Sequence, residues 1–143
     1  RLLLCQRAIE PRYGLWTLPA GFLENGESVE EGAKRETREE AEADVDILGL
    51  YSMFSLTHIN QVYMLFRARL REPVFRAGEE SLDVRLFEES EIPWREIAFP
   101  VIHQTLRHYF EDRRQGAFRT HIGSVRAVGE GPQRRIQVEM LDD

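Results

Sequence analysis

Cysteine is nearly absent from this chain of 143 residues: the single Cys5 excludes an internal disulfide framework and any zinc site built from several cysteines. A reducing, cytoplasmic setting is the expectation. No stretch approaches 18 apolar residues, and the opening RLLLCQRA is too short and polar-flanked for a signal peptide, so a soluble protein with no membrane partner is expected. Excess basic charge is missing as well. A net charge of −6 argues against a general nucleic-acid partner, and an anionic ligand would have to depend on metal and on local Arg or Lys. There are no internal repeats, and His58, His103, His108 and His121 share no metal-ligand spacing, which makes each a structural or exposed residue.

At 42% hydrophobic content the chain can build one domain with a real core, and it is too short for two ordinary ones. Residues 2–9 read as a strand and residues 10–14 as a turn on Pro11 and Gly14. The chain opens at Arg1 with that strand and nothing before it, so an N-terminal portion is expected to be missing. Residues 47–56 and 62–70 read as two further strands joined by a hairpin at 57–60. In the second, Val62, Met64, Phe66, Ala68 and Leu70 alternate with Tyr63, Leu65, Arg67 and Arg69, the period of a half-buried strand. After a loop at 72–80, residues 82–87 form a short alternating strand. Ile102, Leu106, Tyr109 and Phe110 then repeat at helical spacing over 100–114, with Pro100 suited to the first turn and Gly116 to the stop. The order β, α, β, β, β, α suits a mixed sheet between helices. The domain is read as 1–118, followed by a tail, 119–143, in which 121–128 and 135–141 could pair as a hairpin around 129–133.

The chemistry concentrates between Gly21 and Ala43, GFLENGESVEEGAKRETREEAEA. Ser28 followed by Glu31 is a capping box, and Glu30 and Glu31 fall in the first turn, where the helix dipole favours acids. At about 100° per residue, Glu36, Glu39 and Glu40 lie near 100°, 40° and 140° from Arg35, so the four side chains share one face. Carboxylates this close raise one another's pKa unless a cation sits among them, and magnesium takes oxygen ligands, keeps waters and shares substrate phosphates. Metal-assisted attack of water on a pyrophosphate is the reaction such a set can perform.

The register of Gly21, Glu27, Arg35, Glu36, Glu39 and Glu40 resembles the Nudix box, G-x5-E-x7-R-E-U-x-E-E-x-G-U with U aliphatic, at its leading glycine and every charged position. It departs from the box at Thr37, Glu42 and Ala43. Glu42 stands where glycine would end the helix, so it either lengthens the helix or costs about 1 kcal/mol. The lead-in GLWTLPAG also resembles the family, in which the carbonyl before the box glycine completes the metal shell; Ala20 holds that position here. The resemblance implies a Nudix-type α/β/α sandwich with a mixed β-sheet between helices, and an Mg2+- or Mn2+-dependent pyrophosphohydrolase acting on a small-molecule nucleotide. It places the metal on Ala20, Glu36, Glu39 and Glu40, with Arg35 orienting the carboxylates and Glu27 as its partner. Glu39 or Glu80 would be the base. Glu80 is favoured over Glu79 because GEESLDVRLF resembles the family pattern at that point.

Further residues admit two readings. Arg67, Arg69 and Arg71 share a strand face and are either phosphate contacts or the wet side of a sheet; Arg7 and Arg12 carry the same ambiguity. Phe54, Tyr63 and Trp94 are either stacking partners for a flat ring or core, and Trp16 is read as a core anchor. GLWTLPAGFLENGES, ESLDVRLF and EIPW together resemble the zinc-ribbon-associated FAD and ADP-ribose diphosphatase branch, and the SQPW array of NADH diphosphatases is missing. FAD or ADP-ribose is the implied substrate, with triphosphate housecleaning and a non-catalytic nucleotide sensor as alternatives. Relatives that complete their pockets across a dimer allow a homodimer here.

Overall fold

The computed structural model describes residues 1–141. Strand β1 (Leu2–Arg7) is the middle of a three-stranded antiparallel sheet ordered β2-β1-β5, with β2 at Trp16–Thr17 and β5 at Ser81–Phe87. The strand stops at Arg7 rather than residue 9, because its register shifts at Gln6/Arg7 and the turn begins there. That turn is closed by the Gly14 N–H on the Arg7 carbonyl and the Arg7 N–H on the Leu15 carbonyl, both at 2.8 Å. Gly14 takes a left-handed φ of 82°, which glycine adopts without a steric cost. Trp16 is a core anchor, buried and edge-on to Phe87 at 5.0 Å.

Helix α1 (Val29–Ala41) starts at the Ser28 capping box, with both reciprocal bonds at 3.1 Å. Its far end is fixed by small buried residues: Ala41 and Ala43 pack with Cys5 of β1 and Val84 of β5, flanked by Leu3, Leu70, Phe75 and Ala77. The large residues of the strands can approach there because alanine leaves room. Glu42 does not lengthen the helix. It sits in the left-handed region at φ 46°, ψ 42°, with its N–H on the Arg38 carbonyl at 2.9 Å. These elements belong to a compact unit of Arg1–Leu48 and Ala68–Phe99.

A second unit comprises Gly49–Arg67 and the chain from Pro100 onward. A four-stranded sheet has the order β4-β3-β6-β7, from β3 (Val45–Leu56), β4 (Gln61–Leu70), β6 (His121–Val128) and β7 (Arg135–Met140). Strand β6 runs parallel to β3, Ser52 opposite His121, and antiparallel to β7, so the sheet is mixed and the fold is α/β. The segment after 118 thus supplies two strands to this sheet. Helix α2 (Pro100–Gln115) buries Val101, Ile102, Thr105, Leu106 and Phe110. Val101 packs with Phe54, Leu56 and Val125, against which Tyr63, Leu65, Val138 and Met140 also lie. Phe54 is wholly buried, which removes it as a ring-stacking candidate, and Tyr63 leans on the same core. Along β4 the row containing Tyr63 and Leu65 faces that core, while Val62 and Met64 are exposed; alternation in an apolar strand does not say which row turns inward.

Besides Ser52 and Thr105, this unit buries a polar group built on Asp112. The Asp112 carboxylate accepts from Tyr51 Oη at 2.6 Å and pairs with His121 Nε2 at 2.8 Å, and His108 stacks flat on His121 at 4.0 Å. Burial alone would raise the Asp112 carboxyl, but the bonds from Tyr51, His121 and the Arg119 N–H outweigh it and hold the carboxyl below the usual aspartate range.

Two outcomes are expected. Glu42→Gly should stabilise the protein by about 1 kcal/mol in urea denaturation, because glycine enters the left-handed region freely; a loss of stability would contradict this. Because the folded Asp112 pKa is depressed, its stabilisation is complete above the ordinary aspartate value near 4 and is lost as pH falls through the lower folded value. Asp112→Asn should therefore melt below wild type at pH 7, with the gap closing in acid; a gap independent of pH would contradict the assignment.

Candidate active site

Arg35 is the hub of the first unit's polar surface. Its Nε donates to Glu27 Oε2 at 2.6 Å and its Nη2 to Glu27 Oε1 at 3.1 Å, a two-pronged pairing that only a guanidinium can make. Nη1 donates to Glu36 Oε1 at 2.8 Å and Glu39 Oε2 at 3.1 Å, and Glu24 Oε1 lies 3.3 Å away. Nη2 also reaches the Phe22 carbonyl at 3.1 Å, which ties the loop before the helix to the helix itself. Helical spacing explains the set: Glu39 is one turn from Arg35, Glu36 is its neighbour, and Glu27 precedes the cap. Bonding from Arg35 and the Glu24 N–H holds the Glu27 carboxyl below the usual glutamate range.

Glu36 and Glu40 are in a different electrostatic state. Burial raises the Glu36 carboxyl, opposed by Arg35 and reinforced by Glu39 and Glu80. Glu40 is pushed up to about 7, first by burial, with Glu36 and Glu80 adding to it; the Ala20 N–H and Arg7 pull the other way. That N–H donates to Glu40 Oε2 at 2.9 Å, so the Ala20 contact seen here is made by its amide rather than its carbonyl. Gly21 follows, and a Cβ there would overlap the Glu36 carboxylate. A side chain at Gly21 would have to displace that carboxylate from its place.

Glu80 is exposed in the turn before β5, where its charge acts on both Glu36 and Glu40. Among the described residues no group of three His, Cys, Asp or Glu side chains is arranged to hold a metal ion. The donor chemistry nevertheless fits a hard divalent cation. Glu36 and Glu39 share Arg35 Nη1, Glu36 and Glu40 are both raised chiefly by burial, the Glu36 charge acts on Glu40, and magnesium needs only one or two carboxylates beside waters and substrate phosphates.

The other candidates divide. Arg69 and Arg71 pair with Asp46 at 3.8 and 2.8 Å, and the Arg67 guanidinium lies 4.4 Å over the Phe118 ring, so this row is engaged within the protein. Arg7 is held by the Pro11 carbonyl at 2.9 Å and stacks over Phe99 at 5.1 Å, with its charge acting on Glu40. Arg12 is exposed in the preceding turn, and Trp94 is half-buried in a short 3-10 turn, Trp94–Glu96. Sequence reading missed Glu24 and Phe22 as Arg35 partners, since neither stands at a fixed position of the motif.

A family model described as NUDIX domain matches residues 1–110. The chain is 57% identical to a NUDIX hydrolase from Nitrosomonas europaea of solved structure, with a TM-score of 0.85, over 87% of this chain and 70% of that one. An ADP-ribose pyrophosphatase from Streptococcus suis shares 23% identity at a TM-score of 0.65, over 84% of this chain and 87% of that one. A C. elegans Ap4A hydrolase shares 22% at 0.62, over 80% and 86%. These last two share the fold. No match was found among curated proteins.

The two-pronged bond can be tested directly. Arg35→Lys keeps the charge but loses the fork, so the Glu27 carboxyl should titrate closer to the ordinary glutamate value near 4.3. Carbon-detected NMR titration reads this; an unchanged Glu27 would contradict the hub.

Proposed function

The chain belongs to the Nudix hydrolase family, and on that premise we propose that it cleaves the P–O–P linkage of a nucleoside diphosphate derivative, FAD or ADP-ribose being favoured. Water adds to one phosphorus and the bridging oxygen leaves with the other, giving AMP plus FMN or ribose phosphate. The observation that carries this reading is the gathering of Glu27, Glu36 and Glu39 on one guanidinium beside Glu40. The preference for FAD or ADP-ribose rests on the resemblance of GLWTLPAGFLENGES, ESLDVRLF and EIPW to enzymes of that class.

Glu36, Glu39, Glu40 and the Ala20 carbonyl would hold Mg2+ or Mn2+, which supplies neutralisation of phosphate charge and a water of lowered pKa. Arg35 holds two of these carboxylates, Glu36 and Glu39, in place by hydrogen bonds, and Glu27 keeps Arg35 in place. Glu39 or Glu80 takes the proton of the attacking water. The net negative charge of the chain leaves phosphate binding to the metal and to nearby cations such as Arg7.

Incubation of the protein with Mg2+ and FAD or ADP-ribose, with products separated by chromatography, should show AMP release that a chelator stops. Glu40→Gln should abolish that release while the far-ultraviolet spectrum and melting temperature stay close to wild type. Activity indifferent to chelator or to Glu40→Gln would refute the mechanism. Pyrophosphate released only from nucleoside triphosphates would overturn the substrate class.

A further inference from the structure

The last turn of a helix leaves carbonyls without partners, and in α1 residues 76–81 meet them. The Arg76 N–H donates to the Ala41 carbonyl at 2.7 Å and the Gly78 N–H to the Glu40 carbonyl at 3.1 Å. Ser81 Oγ donates to the same Glu40 carbonyl at 2.9 Å. Gly78 approaches so closely that a Cβ on it would overlap the Glu39 carbonyl oxygen and lie 3.0 Å from the Glu39 carbonyl carbon and 3.3 Å from Glu40 Cα. Those atoms are backbone and cannot swing aside, so glycine is required by space.

The same segment ends on the first strand. The Ala8 N–H donates to the Glu80 carbonyl at 2.9 Å, and the Ser81 N–H closes the turn on the Gly78 carbonyl at 3.1 Å. Beside it, burial keeps the Cys5 thiol protonated by pushing it up to about 12, and Cys5 packs on Ala41 and Ala43. One of the two carbonyls held is that of Glu40, whose side chain belongs to the acidic cluster, and the turn that holds it carries Glu80. Capping of a helix end needs only one such bond, and a glycine at Glu42 would have sufficed.

We propose that residues 76–81 are a positioning clamp for the acidic cluster, in which Gly78 and Ser81 fix the backbone of Glu39 and Glu40 and set the Glu80 carboxylate beside Glu36 and Glu40. Its catalytic consequence rests on the hydrolase reading given above; its geometric content does not. Displacement of the last helical turn by about 1 Å would misplace two carboxylates at once, a shift that can cost about a hundredfold in rate.

The test compares Gly78→Ala, Ser81→Ala and Ser81→Thr. Amide hydrogen exchange over residues 39–42 and Mn2+ binding by calorimetry without substrate are read first, then kcat and KM for ADP-ribose. Gly78→Ala should speed exchange locally, weaken Mn2+ binding about tenfold or more and lower kcat by about ten- to a hundredfold, with KM nearly unchanged. Ser81→Ala should move the same readouts less, and Ser81→Thr should restore them. Wild-type Mn2+ affinity and exchange in Gly78→Ala would overturn the clamp. Should Gly78→Ala fail to fold, the Ser81 pair decides, and Ser81→Ala indistinguishable from wild type would overturn it. Wild-type protein that binds Mn2+ but cleaves neither FAD nor ADP-ribose would refute the hydrolase reading alone, and the clamp would then stand or fall on exchange and Mn2+ affinity.

Discussion

Like-charge repulsion within one helical turn is the constraint around which the first unit is organised. Two carboxylates about 4 Å apart repel by about 4 kcal/mol at an effective dielectric near 20. Left alone, such groups would splay or take up protons. Arg35 opposes the splaying on one side of the cluster by bonding Glu27, Glu36 and Glu39 together. It does not reach Glu40, whose carboxyl stays near 7 because burial and two neighbouring acids outweigh the Ala20 N–H and Arg7. The cluster is thus stable yet short of positive charge, the electrostatic condition for taking up a divalent cation together with a phosphate ligand.

Holding charges in that arrangement requires both ends of α1 to be fixed. Ser28 and Glu31 set the beginning, and the Phe22 carbonyl on Arg35 ties in the preceding loop. The far end is set by Ala41 and Ala43 buried against Cys5 and Val84, and by backbone bonds from residues 76–81. Glu42 tolerates a left-handed backbone there because the bonds around it determine the path. At Gly78 the Glu39 backbone carbonyl occupies the volume of a side chain, whereas at Gly21 it is the movable Glu36 carboxylate.

The box, its cap and the approach of Glu36 and Glu39 to Arg35 were legible because they are local, set by spacing along one helix. The Glu27 pairing was legible from the motif, and so were the mixed sheet and the helix beginning at Pro100. What depends on distant segments was not. Trp16–Thr17 is a strand only because Cys5 and Gln6 lie opposite it. Tyr63 rather than Met64 faces the core because of partners on α2 and β6, and the bonds from Arg76 and Gly78 join segments far apart in sequence. Asp112 shows the same limit: it is an acid on a helix with no sequence neighbour to mark its burial, and its partners are Tyr51 and His121.

The central claim is that these carboxylates form one cation-binding surface. Paramagnetic broadening of backbone amide signals by substoichiometric Mn2+ tests it most directly. The account predicts the strongest broadening at Gly21, residues 36–40 and Glu80, relieved by excess Mg2+. Broadening centred elsewhere, spread evenly over the acidic surface, or absent would contradict it.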